Sequence, residues 1–412
     1  MTPVPGLSPE EGGDGVHVAI VTNAYAPRIG GITAYLGDLA QGLMAERIPT
    51  RVFSMPEVFN RVDEPQLGRR GWRRTVHLVF VGFFVLKTLL LLLSVRLRSE
   101  HTIVHSHSAS YCLLICLFAK AMGCVGLHTF HSPLTGDSLI LRRLVPKADA
   151  CVFVSSSLRD LYAERGITSP RPRIIPGAVN LTVFRPPTAA ERQVSRESLS
   201  DLLPGVAEGR PVILFVGRIV FDKGVDVLLA SCDELFARED KPTVVIVGPP
   251  ETSPEGESFF RECTSRIRSS GWHGRIALMG PVMPQRLRQL YWASDIFVCP
   301  SRWQEPSPIV VIEALACGLP VVASRVGGLP ERIDDGVNGI LVTPGDPRDL
   351  ARGILSILNN RERARVYSSA ARGSVVSSYG SELMIDRHLA LYRELIADRR
   401  HAVGKPPAHL MD

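Results

Sequence analysis

No two of the eight cysteines (112, 116, 124, 151, 232, 263, 299 and 317) stand at Cys-x-x-Cys or zinc-finger spacing. That excludes a zinc ribbon or a thioredoxin-type redox pair and reads as reduced thiols inside apolar runs, as in a cytosolic protein. No Gly-x-Gly-x-x-Gly turn follows the first apolar run, which argues against a dinucleotide oxidoreductase. There is no Asp-x-Asp triplet in a loop to hold a divalent metal, and no basic n-region that would open a signal peptide. Nor is there a stripe of Lys and Arg interleaved with aromatics, so nucleic acid is not an expected partner. Without an export signal, the Asn180-Leu181-Thr182 sequon reads as accidental.

What is present is 412 residues, more than one hydrophobic core comfortably holds, so two domains are expected. The net charge of +6, with a pI near 9.0, favours anionic partners: nucleotides, phosphates or an acidic membrane surface. Residues 1–15, rich in Pro, Gly and Glu, read as a disordered tail. From His17 onward short apolar runs alternate with helical patterns. The first unit of this kind is a strand at 17–22, a loop closing on Gly30-Gly31, a helix from Ile32 and a strand at 50–54. Further strands are expected at 102–104, 125–129 and 150–154, then at 211–217, 243–247, 276–279, 296–299, 321–323 and 340–342. Such alternation implies α/β architecture: two doubly wound parallel sheets, covered on both faces, with a ligand cleft at the carboxyl ends of the strands. The expected division is an N-terminal domain over 16–185, a polar linker over 186–209 and a second domain over 210–380. A C-terminal helix over 381–398 then packs back on the first domain, and a tail runs over 399–412.

Residues Val76–Val95 form a long apolar run with Lys87 at its middle. It is long enough to cross a bilayer, but the charge and the flanking strands favour a buried helix or one lying in the membrane surface. Arg69, Arg70, Arg73 and Arg74 just before it suit anionic headgroups, and equally a solvated loop.

The chemistry concentrates in three places. Glu305 and Glu313 bracket a Pro-rich turn and the start of an apolar helix, whose free N–H groups and dipole favour an anion. Arg218 and Lys223 surround a strand-to-helix turn, a forked cation and a compact one suited to phosphate oxygens. His105 and His107 close the strand at 102–104, as acceptor contacts or as structural hydrogen-bonding groups; without a third ligand nearby they do not read as a metal pair.

Taken in order, several motifs resemble the family 4 retaining glycosyltransferases. They are Gly30-Gly31, Thr129-Phe130-His131-Ser132, Gly217-Arg218 with Lys223-Gly224, Ala293-Ser294-Asp295 with Pro300-Ser301, Glu305-x7-Glu313, and Gly336-Val337-Asn338-Gly339. The phrase Ile103-Val104-His105-Ser106-His107-Ser108 is similar to enzymes that transfer N-acetylglucosamine to phosphatidylinositol. The resemblance implies two facing Rossmann-like domains (GT-B) and metal-independent, retaining transfer of a hexosyl group, possibly N-acetylglucosaminyl, to an alcohol acceptor. The donor would be a nucleotide-sugar, with a UDP-linked one expected, and no cofactor is implied. Arg218 and Lys223 would neutralise its diphosphate, Gly30 and Gly31 would let backbone approach it, and Ile309 and Val310 would donate N–H groups. Glu313 would hold the ribose, Glu305 the donor sugar, Val282 would lie by the base, and His131 would position sugar and acceptor. A lipid-linked or small-molecule acceptor follows, with a cytoplasmic protein resting on the inner face of the membrane in the lipid case. The alternatives are another GT-B enzyme, such as a sugar-nucleotide epimerase or a phosphorylase, or a non-catalytic nucleotide-sugar-binding protein. This chain departs from the family at Ser307-Pro308, where Phe-Gly is usual, and at Pro176-Gly177-Ala178-Val179-Asn180, where Pro-Asn-Gly-Val-Asp is usual. Pro308 also has no N–H to offer.

Overall fold

A computed structural model describes residues 16–23, 30–54, 70–96, 101–108, 110–134, 139–237, 242–272 and 274–404. The expected tail over 1–15, most of the loop after the first strand, and Arg69 lie outside them. The chain divides into two compact units, Met1–Pro176 with Ser381–Asp412, and Gly177–Gly380.

The first unit is built on six strands: β1 (Val16–Thr22), β2 (Thr50–Ser54), β3 (His101–His107), β4 (Val125–Phe130), β5 (Ala150–Phe153) and β6 (Pro172–Ile174). They lie in the order β2-β1-β3-β4-β5-β6, with every pair parallel. Helices α1 (Gly31–Ala45), α2 (Arg70–Arg96), α3 (Ser110–Ala121), α4 (Leu139–Leu144) and α5 (Ser156–Glu164) alternate with them. Chain order reverses at β1, which pairs with β2 on one side and β3 on the other. Loops leaving such neighbours in opposite directions open a crevice at the strands' carboxyl ends. Strand β3 runs on past the expected 102–104, so His105 and His107 sit within it. Residues two apart share a strand face, which puts both rings on one side of the sheet and Ser106 on the other.

The apolar run at 76–95 is part of α2. No described helix is long and apolar enough to cross a membrane. Phe84 and Leu92 are fully buried in a core cluster with Cys112, Ile115, Cys116 and Ala119 of α3.

In the second unit β7 (Val212–Val216), β8 (Thr243–Val247), β9 (Ile276–Met279), β10 (Ile296–Cys299), β11 (Val321–Ser324) and β12 (Gly339–Val342) lie in the order β12-β11-β10-β7-β8-β9, again all parallel. Along β7, Val212 and Leu214 enter one core cluster while Ile213 and Phe215 enter another, so both faces of the sheet are covered. That is why its strands read as unbroken apolar runs.

The stretch expected as a linker is ordered and belongs to this unit. Helix α6 (Ala189–Ser200) begins with a capping box, in which Thr188 Oγ1 accepts from Glu191 N and the Glu191 carboxylate accepts from Thr188 N. Its Arg192 and Arg196 bind Asp295 at 2.6 and 3.1 Å, and Asp295 also accepts from the Val212 amide. A polar sequence suggests a solvated connection; here two arginines converge on one carboxylate at the amino end of β10, an interior strand. Beyond it come α7 (Val225–Leu235), α8 (Pro254–Ser269), α9 (Pro284–Ala293), α10 (Ile309–Ala316), α11 (Pro347–Leu358) and α12 (Arg361–Ser378).

The last helix, α13 (Ser381–Gly404), groups with the first unit and continues through residues 399–404, which had read as tail. Arg173 holds its Glu394 at 2.8 Å, and Arg399 donates to the Cys124 carbonyl.

Candidate functional site

Within the second unit, β7 is the strand where chain order reverses, flanked by β10 and β8. The turns leaving β7 and β10 therefore diverge from one crevice. The turn after β7 carries Arg218 and Lys223, and the turn after β10 carries Ser301 and Glu305. Lys223 Nζ lies 2.5 Å from Glu305 Oε1, and the same oxygen accepts from Ser301 Oγ at 2.5 Å. Glu305 is 3% exposed, so its charge is held by a cation and a hydroxyl rather than by water. The two turns are laced together by the Asp222 carbonyl, which accepts from Ser301 Oγ and from the amides of Arg302 and Trp303. Arg302 adds a fork onto Asp226 at 2.6 and 2.8 Å.

Gly224 makes this approach possible. Its φ is +70°, and a Cβ there would fall 1.9 Å from the Pro300 carbonyl oxygen. Gly224→Ala is expected to destabilise the second unit by more than about 2 kcal/mol. Gly336→Ala, with φ +82° but open space around it, is expected to cost about 1 kcal/mol. Urea denaturation of the two variants measures the difference.

Glu313 stands about one turn into α10, half-buried, and accepts a 2.7 Å bond from Tyr291 Oη. Burial and the neighbouring carboxylate push the Tyr291 hydroxyl well above its usual range, so it stays a donor. Glu305 and Glu313 therefore have separate partners. Ile309 and Val310 occupy the first turn of α10, where N–H groups have no carbonyl four residues back. Val282 is half-buried against the unit's main core cluster. Arg218 stands apart from the Lys223–Glu305 pair: its side chain is 59% exposed and, among the described residues, pairs with Glu251 at 3.4 Å.

Two departures from the family pattern meet in space. Ser307 Oγ accepts from the Gly177 amide at 3.3 Å and from Arg332 Nη2 at 3.2 Å, while a Cβ on Gly177 would fall 2.4 Å from Ile309 Cδ1. Residues 130 positions apart in sequence are thus fitted to one another, a relation that no local pattern signals. Other family motifs prove structural. Asn338 closes its turn onto the Asp334 amide and the Arg332 carbonyl, and Asp295 serves α6.

In the first unit the carboxyl ends of β3 and β4 bring together a cluster of histidines. His107 Nδ1 and His131 Nε2 share a 3.0 Å hydrogen bond with rings stacked 5.3 Å apart, and Tyr35 meets His131 edge-on at 4.8 Å. Helix α13 contributes His388, whose Nδ1–H donates to the Met384 carbonyl at 2.8 Å. Its Nε2 therefore accepts from Tyr35 Oη at 3.0 Å. His105 is fully buried, with Nδ1 on Tyr392 Oη (2.7 Å) and Nε2 on Thr129 Oγ1 (2.6 Å). With both nitrogens committed inside the unit, His105 has none to give an acceptor, and its role is structural. His107 is equally buried and spends Nδ1 on His131. Burial lowers the four clustered rings and also His128, which bonds Ser106 Oγ on the other face of the sheet; neighbouring histidines lower all but His388 further, and His388 is opposed by its bond to the Met384 carbonyl. His128 and His131 fall to about 3, His388 to about 4, and His105 and His107 well below the usual range. All five are neutral at pH 7. Sequence reasoning missed Tyr35, His388 and Tyr392, which lie on helices remote from the histidine strands.

Gly30 precedes α1 with an extended backbone, φ 170°, and nothing lies within 4 Å of where its Cβ would stand. Neither strain nor crowding within the unit demands glycine there. Among the described residues, no group of three or more His, Cys, Asp and Glu is arranged to hold a metal ion.

Family models for "Glycosyltransferase Family 4" and "Glycosyl transferases group 1" match residues 29–183 and 204–374. Alpha-maltose-1-phosphate synthase of Mycolicibacterium smegmatis is 31% identical over 93% of this chain and 100% of its own length. The GDP-mannose-dependent alpha-(1-6)-phosphatidylinositol monomannoside mannosyltransferase of Mycobacterium tuberculosis is 26% identical over 88% and 94%. Among solved structures, the sucrose-phosphate synthase of Thermosynechococcus elongatus superposes with a TM-score of 0.74 at 22% identity, covering 93% of this chain and 100% of that one. Two parallel six-stranded sheets, each with its crevice at a reversal of strand order, are the GT-B architecture. The chain belongs to the family 4 glycosyltransferases, enzymes that move a sugar from a nucleotide-sugar donor.

Proposed function

We propose that this protein transfers a hexosyl group from a UDP-sugar to a lipid-linked alcohol, with retention at the anomeric carbon and without a metal ion. The observation that carries the reading is the Lys223–Glu305–Ser301 cluster beside the first turn of α10. Breaking the bond between the anomeric carbon and the phosphate oxygen sends an electron pair onto the departing diphosphate. A fixed cation and helix N–H groups stabilise that developing charge, the task a divalent ion performs in other transferases. Lys223 takes this role, and Glu305 orients it while accepting from hydroxyls of the donor sugar. Ile309 and Val310 supply N–H groups, Glu313 holds the ribose diol, and Val282 lies by the base. Arg218, exposed and loosely paired, turns onto the diphosphate when the donor arrives.

The acceptor hydroxyl attacks from the face the leaving group departs. Its oxygen bonds to the anomeric carbon and its proton passes to the departing phosphate oxygen, so UDP leaves and the products balance. His131, neutral and held by His107 and Tyr35, positions the sugar rather than removing a proton. Gly30 and Gly31 keep the role of letting backbone approach the donor. N-acetylglucosamine is the first sugar to test, on the strength of the His105-Ser106-His107 phrase. A location at the inner face of the membrane follows from a lipid acceptor.

The test is donor hydrolysis by the purified chain with a panel of UDP- and GDP-sugars, followed by the anomeric configuration of a product. A GDP-mannose preference, as in the name of the M. tuberculosis relative, would replace the UDP reading. Arg218→Ala is expected to raise donor KM about tenfold with a smaller change in kcat, as befits a flexible exposed cation.

A further inference from the structure

His107 and His131 stand at the ends of neighbouring strands, and one hydrogen bond of 3.0 Å joins His107 Nδ1 to His131 Nε2. Both rings are neutral at pH 7, so each carries one N–H. The proton in the shared bond belongs to one of them, and the surroundings of His107 decide which. Among the described residues, His107 Nε2 is buried and has no hydrogen-bond partner. The groups packed near the ring are already committed. Tyr35 Oη gives its proton to His388 Nε2, and the His105 ring, 4.1 Å away, has its nitrogens on Tyr392 and Thr129. If His131 donated, the single proton of His107 would sit on Nε2 as an orphaned N–H inside the protein. If His107 donates, Nε2 keeps a bare lone pair. An orphaned buried N–H is the rarer and costlier fault, so the proton lies on His107 Nδ1.

His131 Nε2 is then the acceptor, and the proton of His131 is held on its Nδ1. His131 follows the last residue of β4 and is half-buried, and its Nδ1 makes no bond to another described residue. We infer that His107 is a positioning residue that locks His131 in the Nδ1–H tautomer, so that His131 meets its ligand as a hydrogen-bond donor. The group it recognises is an oxygen lone pair, as on a sugar hydroxyl. His107 is fully buried and acts through His131, not on the ligand itself. That the ligand is a sugar rests on the function proposed above; the tautomer does not.

Nitrogen NMR of protein carrying isotope-labelled histidine tells a protonated ring nitrogen from a bare one, with His131→Gln assigning the signals. At neutral pH the wild type is expected to show His131 with Nδ1 protonated and Nε2 bare. His107→Leu removes the donor, and is expected to return proton to Nε2 and to lower kcat/KM for the nucleotide-sugar about tenfold or more. His107→Asn keeps an amide N–H near the place of Nδ1, and is expected to restore both the tautomer and most of the rate. A wild-type His131 protonated on Nε2 overturns the inference, whatever the donor sugar is. So does a leucine variant that keeps the Nδ1–H tautomer or turns over like wild type. A wild type with the expected tautomer that hydrolyses no nucleotide-sugar supports the lock and overturns the transfer reading instead. Thermal unfolding shows whether the leucine variant folds; if it does not, the wild-type spectrum and the asparagine variant decide.

Discussion

Lys223→Ala is expected to lower kcat/KM for the nucleotide-sugar by about 10²–10³-fold, with most of the loss in kcat. Lys223 faces charge that appears only as the diphosphate departs, so its removal weakens the transition state more than the bound donor. The same substitution also reaches stability. It leaves Glu305, nearly inaccessible to water, with Ser301 as its remaining partner, and breaking a buried pair on one side costs about 3–5 kcal/mol. The two effects separate in a double variant. Adding Glu305→Gln to Lys223→Ala removes the stranded charge and is expected to restore most of the urea midpoint while leaving turnover low. A double variant as active as wild type would remove Lys223 from the reaction. A single variant as stable as wild type would show that the Glu305 carboxylate is rehydrated when its partner is lost.

Acid is expected to unfold the first unit well before the second. His105, His107, His128, His131 and His388 are held neutral by burial, with His128 and His131 lowered to about 3 and His388 to about 4. The unfolded chain protonates these rings near pH 6.5, whereas the fold resists until they reach their lowered values. Stability is therefore full above about pH 6.5 and is lost as pH falls toward 4, by about 1.4 kcal/mol per pH unit for each histidine. Asp38 opposes one share of this: burial raises its carboxyl to about 6, so between pH 6 and 4 the fold takes up a proton that the unfolded chain does not. The net still favours loss. Denaturation midpoints measured from pH 8 to 5 should fall steeply, and His388→Gln should flatten the profile while lowering stability at pH 8. A flat profile in the wild type would mean that the cluster is open to water. Release of α13 is expected to accompany the transition, since His388 and Tyr392 are its ties to this cluster.

Much of this was legible from local pattern. Strands buried on both faces read as apolar runs, and turn residues sit next to the strands whose ends they continue. Arg218, Lys223 and Glu305 could therefore be assigned to strand-to-helix turns, and Glu313 to the helix that follows, from residue type and spacing. The pattern misled where charge and hydrophobicity have two uses. Residues 186–209 look like a linker because α6 is polar, yet its arginines converge on Asp295. The 76–95 run looks like a span by length alone, yet one side of α2 is core and the other is exposed. His105 looks available at a strand end, yet β3 continues through it and a helix covers it.

The sequence by itself determined the family, the doubly wound architecture and the turns that carry the chemical groups, because these depend on residue type and spacing over a few positions. Tertiary structure alone decided which groups became partners. Glu305 is fixed by Lys223 from the turn after β7, Glu313 by Tyr291 from α9, and the histidine cluster by side chains from α1 and α13. Likewise Ser307 and Gly177, each a departure from the family in its own motif, share one hydrogen bond. A hydrogen bond is made over about 3 Å of space, and chain folding sets that distance between residues up to hundreds of positions apart.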